Sequence, residues 1–127
     1  MSILLKCRAG DPRRDTILIT ASLAGVVTFP TGGAYAATKH AVVAVAEQAA
    51  MALADSPVDV TVLCPALVRT GMSSEGSDPM DVAAMALDAC RRGVFAIIPD
   101  EWRDAVSDRA ASLASGELPA VPHPAPE

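Results

Sequence analysis

The fold is decided by residues 16–63, which read TILITASLAGVVTFPTGGAYAATKHAVVAVAEQAAMALADSPVDVTVL. Residues 16–20 are β-branched and apolar without alternating polar positions, a pattern typical of a strand buried on both faces. Residues 34–54 are rich in alanine and nearly free of helix breakers, so they predict a long helix that needs apolar contacts on two sides. Residues 58–63 predict a second strand, and the whole stretch therefore predicts a β-α-β unit.

Downstream of this stretch, helix and strand signals continue to alternate. Asp78 is a candidate N-cap and Pro79 favours the first helical position, so a helix should begin there. Asp100 should cap a further helix after another buried apolar run. This alternation predicts an α/β fold with about three parallel strands, flanking helices and right-handed crossovers. The strands are expected over 16–20, 58–63 and 94–98, and the helices over 34–54, 79–92 and 100–114.

The two ends of the chain differ from this central part. Residues 1–15 are mixed in character and turn-prone near their end, so they predict a short irregular N-terminus. Residues 119–127 are proline-rich and show no periodicity, which predicts a disordered tail. Residues 16–118 are expected to form one domain.

The composition favours one packed domain and excludes one class of partner. Of the 127 residues, 51% are hydrophobic and 20% are charged, so the chain should bury a core rather than remain disordered. The net charge of −5 and the aromatic content of 3% disfavour nucleic-acid binding, which needs clustered positive charge and stacking side chains.

The spacing of the cysteines and the hydropathy of the chain indicate in which cellular compartment the protein is found. Cys7, Cys64 and Cys90 are odd in number and widely spaced, which indicates reduced thiols rather than a disulfide framework or a metal site. Residues 3–5 are too short for the apolar region of a signal peptide. The apolar stretch 41–54 falls short of the ~20 residues of a membrane span. We therefore expect a cytoplasmic protein with no metal and no membrane partner.

Four polar residues are expected to meet at one edge of the sheet. Tyr35 and Lys39 lie four residues apart at the start of the long helix, a spacing that puts them on one face. A nearby ammonium favours the ionised form of a phenol, which lets a tyrosine exchange a proton with a substrate oxygen near neutral pH. Ser22 follows the first strand and Thr70 follows the second. Because ligands bind beyond the carboxyl ends of parallel strands, this grouping indicates a catalytic site.

At these residues the sequence resembles the short-chain dehydrogenase/reductase family. The similarity is carried by residues 17–25 (ILITASLAG), 35–42 (YAATKHAV) and 62–70 (VLCPALVRT), in the family's order. The resemblance covers about residues 16–119. It implies a Rossmann-like three-layer fold and an NAD(P)-dependent oxidoreductase that transfers hydride between a nicotinamide cofactor, NAD or NADP, and a small carbonyl or alcohol substrate.

The resemblance also implies a role for each site residue. Tyr35 would be the general acid/base, Lys39 would hold the nicotinamide ribose, and Ser22 would form a hydrogen bond with the reacting oxygen. Two residues after the second strand would flank the nicotinamide, and a third would bind its carboxamide. The implied cofactor-binding residues are Tyr35, Lys39, Pro65, Val68 and Thr70.

The sequence departs from the family's pattern ahead of residue 16. The family's first half is a βαβαβ unit with a glycine-rich phosphate turn, and the eight glycines here form no such motif. The sequence also has no asparagine, so the family's catalytic asparagine is absent. We therefore expect this chain to correspond to the family's C-terminal half, with the N-terminal βαβαβ half missing. By itself it should be inactive and should not bind NAD or NADP.

A second function from a different class stays open, namely a non-catalytic remnant or interaction module that dimerises through the 34–54 helix. That helix has more apolar residues than a three-stranded sheet can cover, and an uncovered first strand invites pairing, so a homo-oligomer is expected. A serine hydrolase is disfavoured because no glycine elbow precedes Ser22. Ser22 could instead cap local backbone, and His40 and Cys64 are expected to be structural.

Overall fold

The computed structural model describes residues 11, 13–68 and 74–127, which form one three-stranded sheet with helices around it. The predicted irregular N-terminus over residues 1–15 lies mostly outside the described residues. The strands are β1 (Asp15–Thr20), β2 (Val58–Leu63) and β3 (Ala96–Ile97). The helices are α1 (Gly33–Ala52), α2 (Pro79–Arg91) and α3 (Arg103–Ser115), with 3-10 turns at Leu23–Gly25 and Asp100–Trp102.

The sheet is parallel throughout, with the strand order β1-β2-β3. β1 pairs with β2 along its full length, from Asp15 opposite Val58 to Thr20 opposite Leu63. Each crossover carries a helix, as parallel neighbours require. The predicted α/β architecture with three parallel strands is therefore confirmed.

Two apolar clusters, one on each face of the sheet, make the three layers. Leu18 packs with Leu63 and Ala89 on the α2 side. Its neighbour Ile19 packs with Ala46 of α1 on the other side. Successive side chains of a strand point to opposite faces, so both faces of β1 are covered and its sequence is continuously apolar.

The third strand is shorter than the predicted 94–98, since only Ala96 and Ile97 pair with β2. The backbone of Val94 is used differently. Its N–H donates to the Ala89 carbonyl of α2 at 3.0 Å, and its carbonyl accepts from the Thr61 hydroxyl at 2.8 Å. Those bonds direct the chain out of α2 and onto the sheet before strand pairing begins.

The start of α2 follows the sequence prediction, whereas the start of α3 does not. Asp78 caps α2, because its carboxylate accepts from the Met80 N–H at 2.8 Å. Asp100 does not cap α3. It opens a 3-10 turn and pairs with Arg103 at 3.0 Å, so the regular helix begins at Arg103 rather than at residue 100. The tighter turn shifts the helix start by three residues.

The C-terminal tail lies back along α3 without helix or strand of its own. The Ala125 N–H donates to the Glu101 carbonyl at 2.6 Å, which brings the end of the chain next to the start of α3. The disorder expected for residues 119–127 stays a prediction, as does the division into 1–15, 16–118 and 119–127.

Candidate active site

Ser22 lies beside the carboxyl end of β2. The Ala21 N–H donates to the Leu63 carbonyl at 2.8 Å, and the Leu23 N–H donates to the Pro65 carbonyl at 2.9 Å. These two hydrogen bonds continue the β1-β2 pairing past the ends of both strands. Ser22 lies between the two bonded residues, Ala21 and Leu23, so its backbone is held in place. The Ser22 hydroxyl oxygen accepts from the Ala24 N–H at 3.2 Å, so it also caps the 3-10 turn. This bond uses an acceptor site and leaves the hydroxyl proton for a further acceptor.

Gly25 brings the 3-10 turn directly against α1. A β-carbon at this position would lie 2.7 Å from the Lys39 carbonyl oxygen and 2.8 Å from the Val43 Cγ2 atom. Real β-carbons do not approach backbone oxygen so closely, so a side chain here would push the turn and the helix apart. The missing side chain of Gly25 therefore sets the distance between Ser22 and the helix that bears Lys39.

Tyr35 and Lys39 lie on the same face at the start of α1, as their spacing predicts. The Lys39 ammonium nitrogen is 5.5 Å from the centroid of the Tyr35 ring. Tyr35 is 57% exposed, so its hydroxyl is open to a ligand or to solvent. A cation over an exposed ring contributes about 0.5–1 kcal/mol, which holds the two side chains together without burying either.

The segment after β2 lines a cavity of about 450 Å³. Pro65 and Val68, the two residues implied to flank a nicotinamide, both line it. Val68 forms a β-bridge with Ser77, and the Ser77 N–H donates to the Leu67 carbonyl at 2.9 Å. This bridge brings Val68 and Ser77, the two ends of the intervening loop, together. Thr70 lies outside the described residues.

The predicted site residues in the described part of the chain fall into two groups, one after β1 with the start of α1 and one after β2. Ser22 and Lys39 are connected through Gly25, and Ser22 is connected to Pro65 through the extended ladder. Ser22, Tyr35 and Lys39 do not line the 450 Å³ cavity that Pro65 and Val68 line.

His40 and Cys64 have structural surroundings, in agreement with their expected roles. The His40 Nδ1 atom lies 2.7 Å from the Ala36 carbonyl, one turn earlier in α1, and is the donor of that bond. Its Nε2 atom is buried and has no hydrogen-bond partner. Burial raises the pKa of the Cys64 thiol to about 11, which keeps it protonated at physiological pH.

Sequence patterns missed two features that hold the site. Gly25 was noticeable only by its position three residues after Ser22, and nothing local indicated that it meets Lys39. Arg109 of α3 donates to the Val26 carbonyl at 3.0 Å across 83 residues of sequence, and no local pattern predicts that contact. Only the folded chain brings these residues together.

The described part of the chain contains neither a group of metal ligands nor a membrane-spanning helix. There, no three His, Cys, Asp or Glu side chains are grouped so that they could hold a metal ion. No helix in the same residues is long and apolar enough to cross a membrane.

A known protein family matches the part of the sequence that contains Ser22, Tyr35 and Lys39. The sequence model described as short chain dehydrogenase matches residues 5–81, which is more than half of the chain. The chain belongs to the short-chain dehydrogenase/reductase family. The match includes the strand, the 3-10 turn and the helix that position these three residues.

Two relatives within the short-chain dehydrogenase/reductase family are similar over parts of the chain. Dehydrogenase/reductase SDR family member 7B of Rattus norvegicus is 31% identical over 96 residues, which cover 76% of this chain and 27% of the relative. The 2,5-dichloro-2,5-cyclohexadiene-1,4-diol dehydrogenase of Sphingobium indicum is 40% identical over 65 residues, which cover 51% of this chain and 26% of the relative. The chain thus spans about a quarter of each relative's length.

A solved short-chain dehydrogenase/reductase from Burkholderia phymatum, in complex with NAD, has the same fold. Its TM-score is 0.75 at 24% identity, and the match covers 87% of this chain and 52% of the solved chain. The sheet and helices described above therefore correspond to about half of a short-chain dehydrogenase/reductase domain.

The segment after β2 is where a nicotinamide ring would fit. Pro65 and Val68 follow the carboxyl end of β2 and line a cavity there, and an open parallel sheet binds its ligands beyond that end. The diphosphate of such a cofactor rests on a glycine-rich turn at a helix N-terminus. The sequence contains no glycine motif of that kind.

Proposed function

We propose that residues 16–118 are the catalytic half of an NAD(P)-dependent oxidoreductase that interconverts a carbonyl compound and its alcohol. The observation that carries this proposal is the contact of Gly25 with the Lys39 backbone. It couples the turn that bears Ser22 to the helix that bears Tyr35 and Lys39. A contact that excludes a β-carbon holds these two elements close together, which supports a shared site for the three side chains.

Each side chain has one role in the proposed reaction. A nicotinamide cofactor, when bound, would supply the hydride for reduction or accept it during oxidation. Tyr35 donates its phenolic proton to the carbonyl oxygen during reduction and accepts it back during oxidation. The Ser22 hydroxyl donates a hydrogen bond to the same oxygen, which stabilises the negative charge that develops there. The Lys39 ammonium, which lies 5.5 Å from the centroid of the Tyr35 ring, is available to the ribose hydroxyls.

The proposed cofactor contacts come from both groups of site residues, the one at the start of α1 and the one after β2. Lys39 and Tyr35 would hold the nicotinamide ribose, Pro65 and Val68 would flank the ring, and Thr70 would bind the carboxamide. Because the described residues offer no place for the diphosphate, turnover requires a dinucleotide-binding unit in addition to these 127 residues. The 127-residue chain alone should neither bind NADH or NADPH measurably nor reduce a ketone.

The test is a hybrid enzyme. Residues 16–127 are placed behind the glycine-rich βαβαβ half of a characterised short-chain dehydrogenase, and ketone reduction is followed by the loss of NADH or NADPH absorbance. We expect turnover by the hybrid, none by either half alone, and no heat of NADH binding by the 127-residue chain. A folded hybrid that binds NADH and reduces none of a broad panel of ketones would contradict the proposed function.

A second candidate function, an interaction module that associates through α1, is supported by a different observation. Val45 and Met51 of α1 are 59% and 72% exposed. Within the described residues, β1 pairs only with β2 and leaves its other edge uncovered. Such surfaces favour association with a second copy of the chain.

We also propose a cytoplasmic location. Its support is that Cys64 is free and buried, since free cysteines are the rule in reducing compartments.

A further inference from the structure

The segment after β2 is held at both of its ends, by two different parts of the fold. At its start, the Pro65 carbonyl accepts from the Leu23 N–H at 2.9 Å, which ties the segment to the turn after β1. At its end, Val68 forms a parallel β-bridge with Ser77, whose N–H donates to the Leu67 carbonyl at 2.9 Å. The position of Val68 therefore depends on residues that come after the intervening loop.

Gly76 lies against the peptide bond that joins Leu67 to Val68. A β-carbon at position 76 would overlap the Leu67 carbonyl group, 2.6 Å from its carbon, and would lie 2.9 Å from the Val68 nitrogen. All of these atoms are backbone, so no side-chain rotation could relieve the overlap. The φ of Gly76 is +105°, a conformation that residues with a β-carbon rarely adopt. Position 76 therefore requires glycine for two independent reasons.

The far side of this contact is anchored on α2. Gly76 lies two residues before Asp78, which caps α2 by accepting from the Met80 N–H at 2.8 Å. Val82, near the start of the same helix, packs against the apolar cluster on the sheet. Because so few residues separate Gly76 from a helix that is fixed on the sheet, α2 sets where Gly76 meets the peptide of Val68.

The position of Val68 matters because its side chain forms part of a cavity wall. Val68 is half-buried and lines the cavity of about 450 Å³ at the carboxyl end of β2. A branched side chain is stiff, so a displaced backbone carries the methyl groups with it instead of being absorbed by rotation. A gap of about 0.5–1 Å already removes a quarter to a half of a van der Waals attraction. Small movements of this peptide should therefore weaken contact with a ligand in the cavity.

We propose that Gly76 is a positioning residue for the nicotinamide ring, because it lets α2 hold Val68 at the wall against which the ring would lie. The inference rests on the proposed function, since the contact of Val68 with the ring belongs to it. Gly76 itself touches neither cofactor nor substrate and acts only through Val68. Cofactor affinity thus depends on a residue on the far side of the loop, outside the segment after β2.

Hydrogen exchange of the 127-residue chain, followed by NMR, tests the contact without a cofactor. Gly76→Ala should raise the exchange rate of the Ser77 amide at least about tenfold, because it displaces the Leu67 carbonyl that accepts from this amide. The Val62 amide, which donates to the Phe95 carbonyl at 2.7 Å within the sheet, reports on global stability. Its rate should change less than about threefold. An unchanged Ser77 rate overturns the inference.

Gly116→Ala is the matched control for Gly76→Ala. Gly116 ends α3 with a φ of +75°, so alanine there also has to adopt a positive φ. A β-carbon on Gly116 would meet nothing within 4 Å, in contrast to one on Gly76. The control therefore carries the conformational cost without the backbone overlap, and it should leave the exchange of the Ser77 amide unchanged.

In the hybrid enzyme, the fluorescence of the reduced nicotinamide measures NADH binding directly. Gly76→Ala should raise the Kd for NADH at least about fivefold, because part of the apolar contact of Val68 is lost, whereas Gly116→Ala should change it less than about twofold. The KM for NADH should rise with the Kd. The kcat at saturating NADH should change less than about twofold, because the residues after β1 are unaffected. A purely structural role would lower the amount of active enzyme and leave the Kd unchanged.

A double-mutant cycle tests whether Gly76 acts through Val68. Val68→Ala should itself raise the Kd for NADH, since it removes part of the cavity wall. In the Val68→Ala background, Gly76→Ala should then raise the Kd less than about twofold, because the contact that it displaces is already gone. Equal fold-changes in the two backgrounds overturn the inference.

The outcomes in the hybrid separate this inference from the proposed function. A hybrid that binds NADH and reduces ketones, with the same Kd in the Gly76→Ala and Gly116→Ala variants, overturns the inference alone. A hybrid that shows the expected loss of NADH affinity with Gly76→Ala, yet reduces no ketone, contradicts the proposed function alone. A folded hybrid that binds no NADH overturns both.

Discussion

Gly25 and Lys39 meet through their backbones. The Lys39 carbonyl oxygen occupies the space where any other residue at position 25 would place its β-carbon, which would be only 2.7 Å away. This contact joins the 3-10 turn after β1 to the second turn of α1. It is the point at which the geometry of Ser22 and that of the Tyr35–Lys39 pair depend on each other.

Gly25→Ala should separate the turn from α1. The added methyl group would meet backbone rather than a flexible side chain, so we expect a loss of about 1–3 kcal/mol in the free energy of unfolding. Urea denaturation at an unchanged m-value measures it. The control is Ala44→Ser, at an exposed position of α1, which should cost less than about 1 kcal/mol. A Gly25→Ala variant as stable as the unaltered chain would mean that the contact is not tight.

Local patterns predicted the strands and the helices because their signals lie within short windows. The apolar run of β1 and the alanine-rich run of α1 are of this kind, and the cap of α2 at Asp78 is carried by neighbouring residues. The truncation of β3 and the late start of α3 escaped prediction. The first depends on the Thr61 hydroxyl reaching the Val94 carbonyl, and the second on a 3-10 turn that the sequence does not distinguish from a helical one.

The candidate site was predictable to a similar extent. The shared face of Tyr35 and Lys39 follows from helical spacing alone. The contact between Gly25 and Lys39, and the contact between Arg109 and Val26, join residues far apart in sequence and follow from packing. These non-local contacts hold the turn and the loop that follow β1 in place.

The ion pair between Arg14 and Asp59 should make stability depend on pH in acid. Arg14 lies just before β1, and its guanidinium donates two hydrogen bonds to the Asp59 carboxylate near the start of β2. These bonds lower the pKa of Asp59 below its ordinary value of 3.8. Because the folded-state pKa of Asp59 is lowered, the ion pair contributes its full stability at pH values above 3.8. That contribution is lost as the pH falls through the folded-state pKa of Asp59.

Asp59→Asn should therefore lower the melting temperature at pH 7 and have a shrinking effect as the pH falls below about 4. The pair stands at the opposite end of the sheet from Ser22, so the kcat of the hybrid should not change. Thermal unfolding monitored by circular dichroism measures the difference at each pH. The control is Asp88→Asn, which breaks a more exposed pair with Arg92 and should change stability less. An Asp59→Asn effect that is equal at pH 3 and pH 7 rules out the pair as its source.

Cys64 should react slowly with alkylating reagents. Only the thiolate reacts, and a pKa of about 11 leaves far less thiolate at pH 8 than an ordinary cysteine has. The reaction of native Cys64 with iodoacetamide should be at least roughly 10²-fold slower than in urea-unfolded chain. Mass spectrometry of the Cys64 peptide measures both rates. Similar rates in the two states would show that the thiol is exposed.

The exposed arc of α1 should drive self-association. Val45 and Met51 lie about a third of the helix circumference apart, at 3.6 residues per turn. The exposed residues on the helix surface between these two side chains are mostly alanine. Val45→Glu with Met51→Glu should shift a dimer or larger species toward monomer, as measured by size-exclusion chromatography with light scattering. Met80→Glu is the matched control, since Met80 is 75% exposed on α2. A monodisperse species of 13.0 kDa in the unaltered chain contradicts association by this face.

The central claim is that Tyr35 transfers the proton in a carbonyl reduction. Its most direct test is the kcat of the hybrid enzyme with Tyr35→Phe, which keeps the ring over Lys39 and removes only the hydroxyl. Thr38→Ala, at an exposed position of the same helix, is the control and should keep nearly full activity. The account predicts that Tyr35→Phe lowers kcat at least ~10²-fold, as loss of a general acid/base requires, while NADH binding, which Lys39, Pro65 and Val68 would also support, stays measurable. A Tyr35→Phe hybrid as active as the Thr38→Ala hybrid would contradict it.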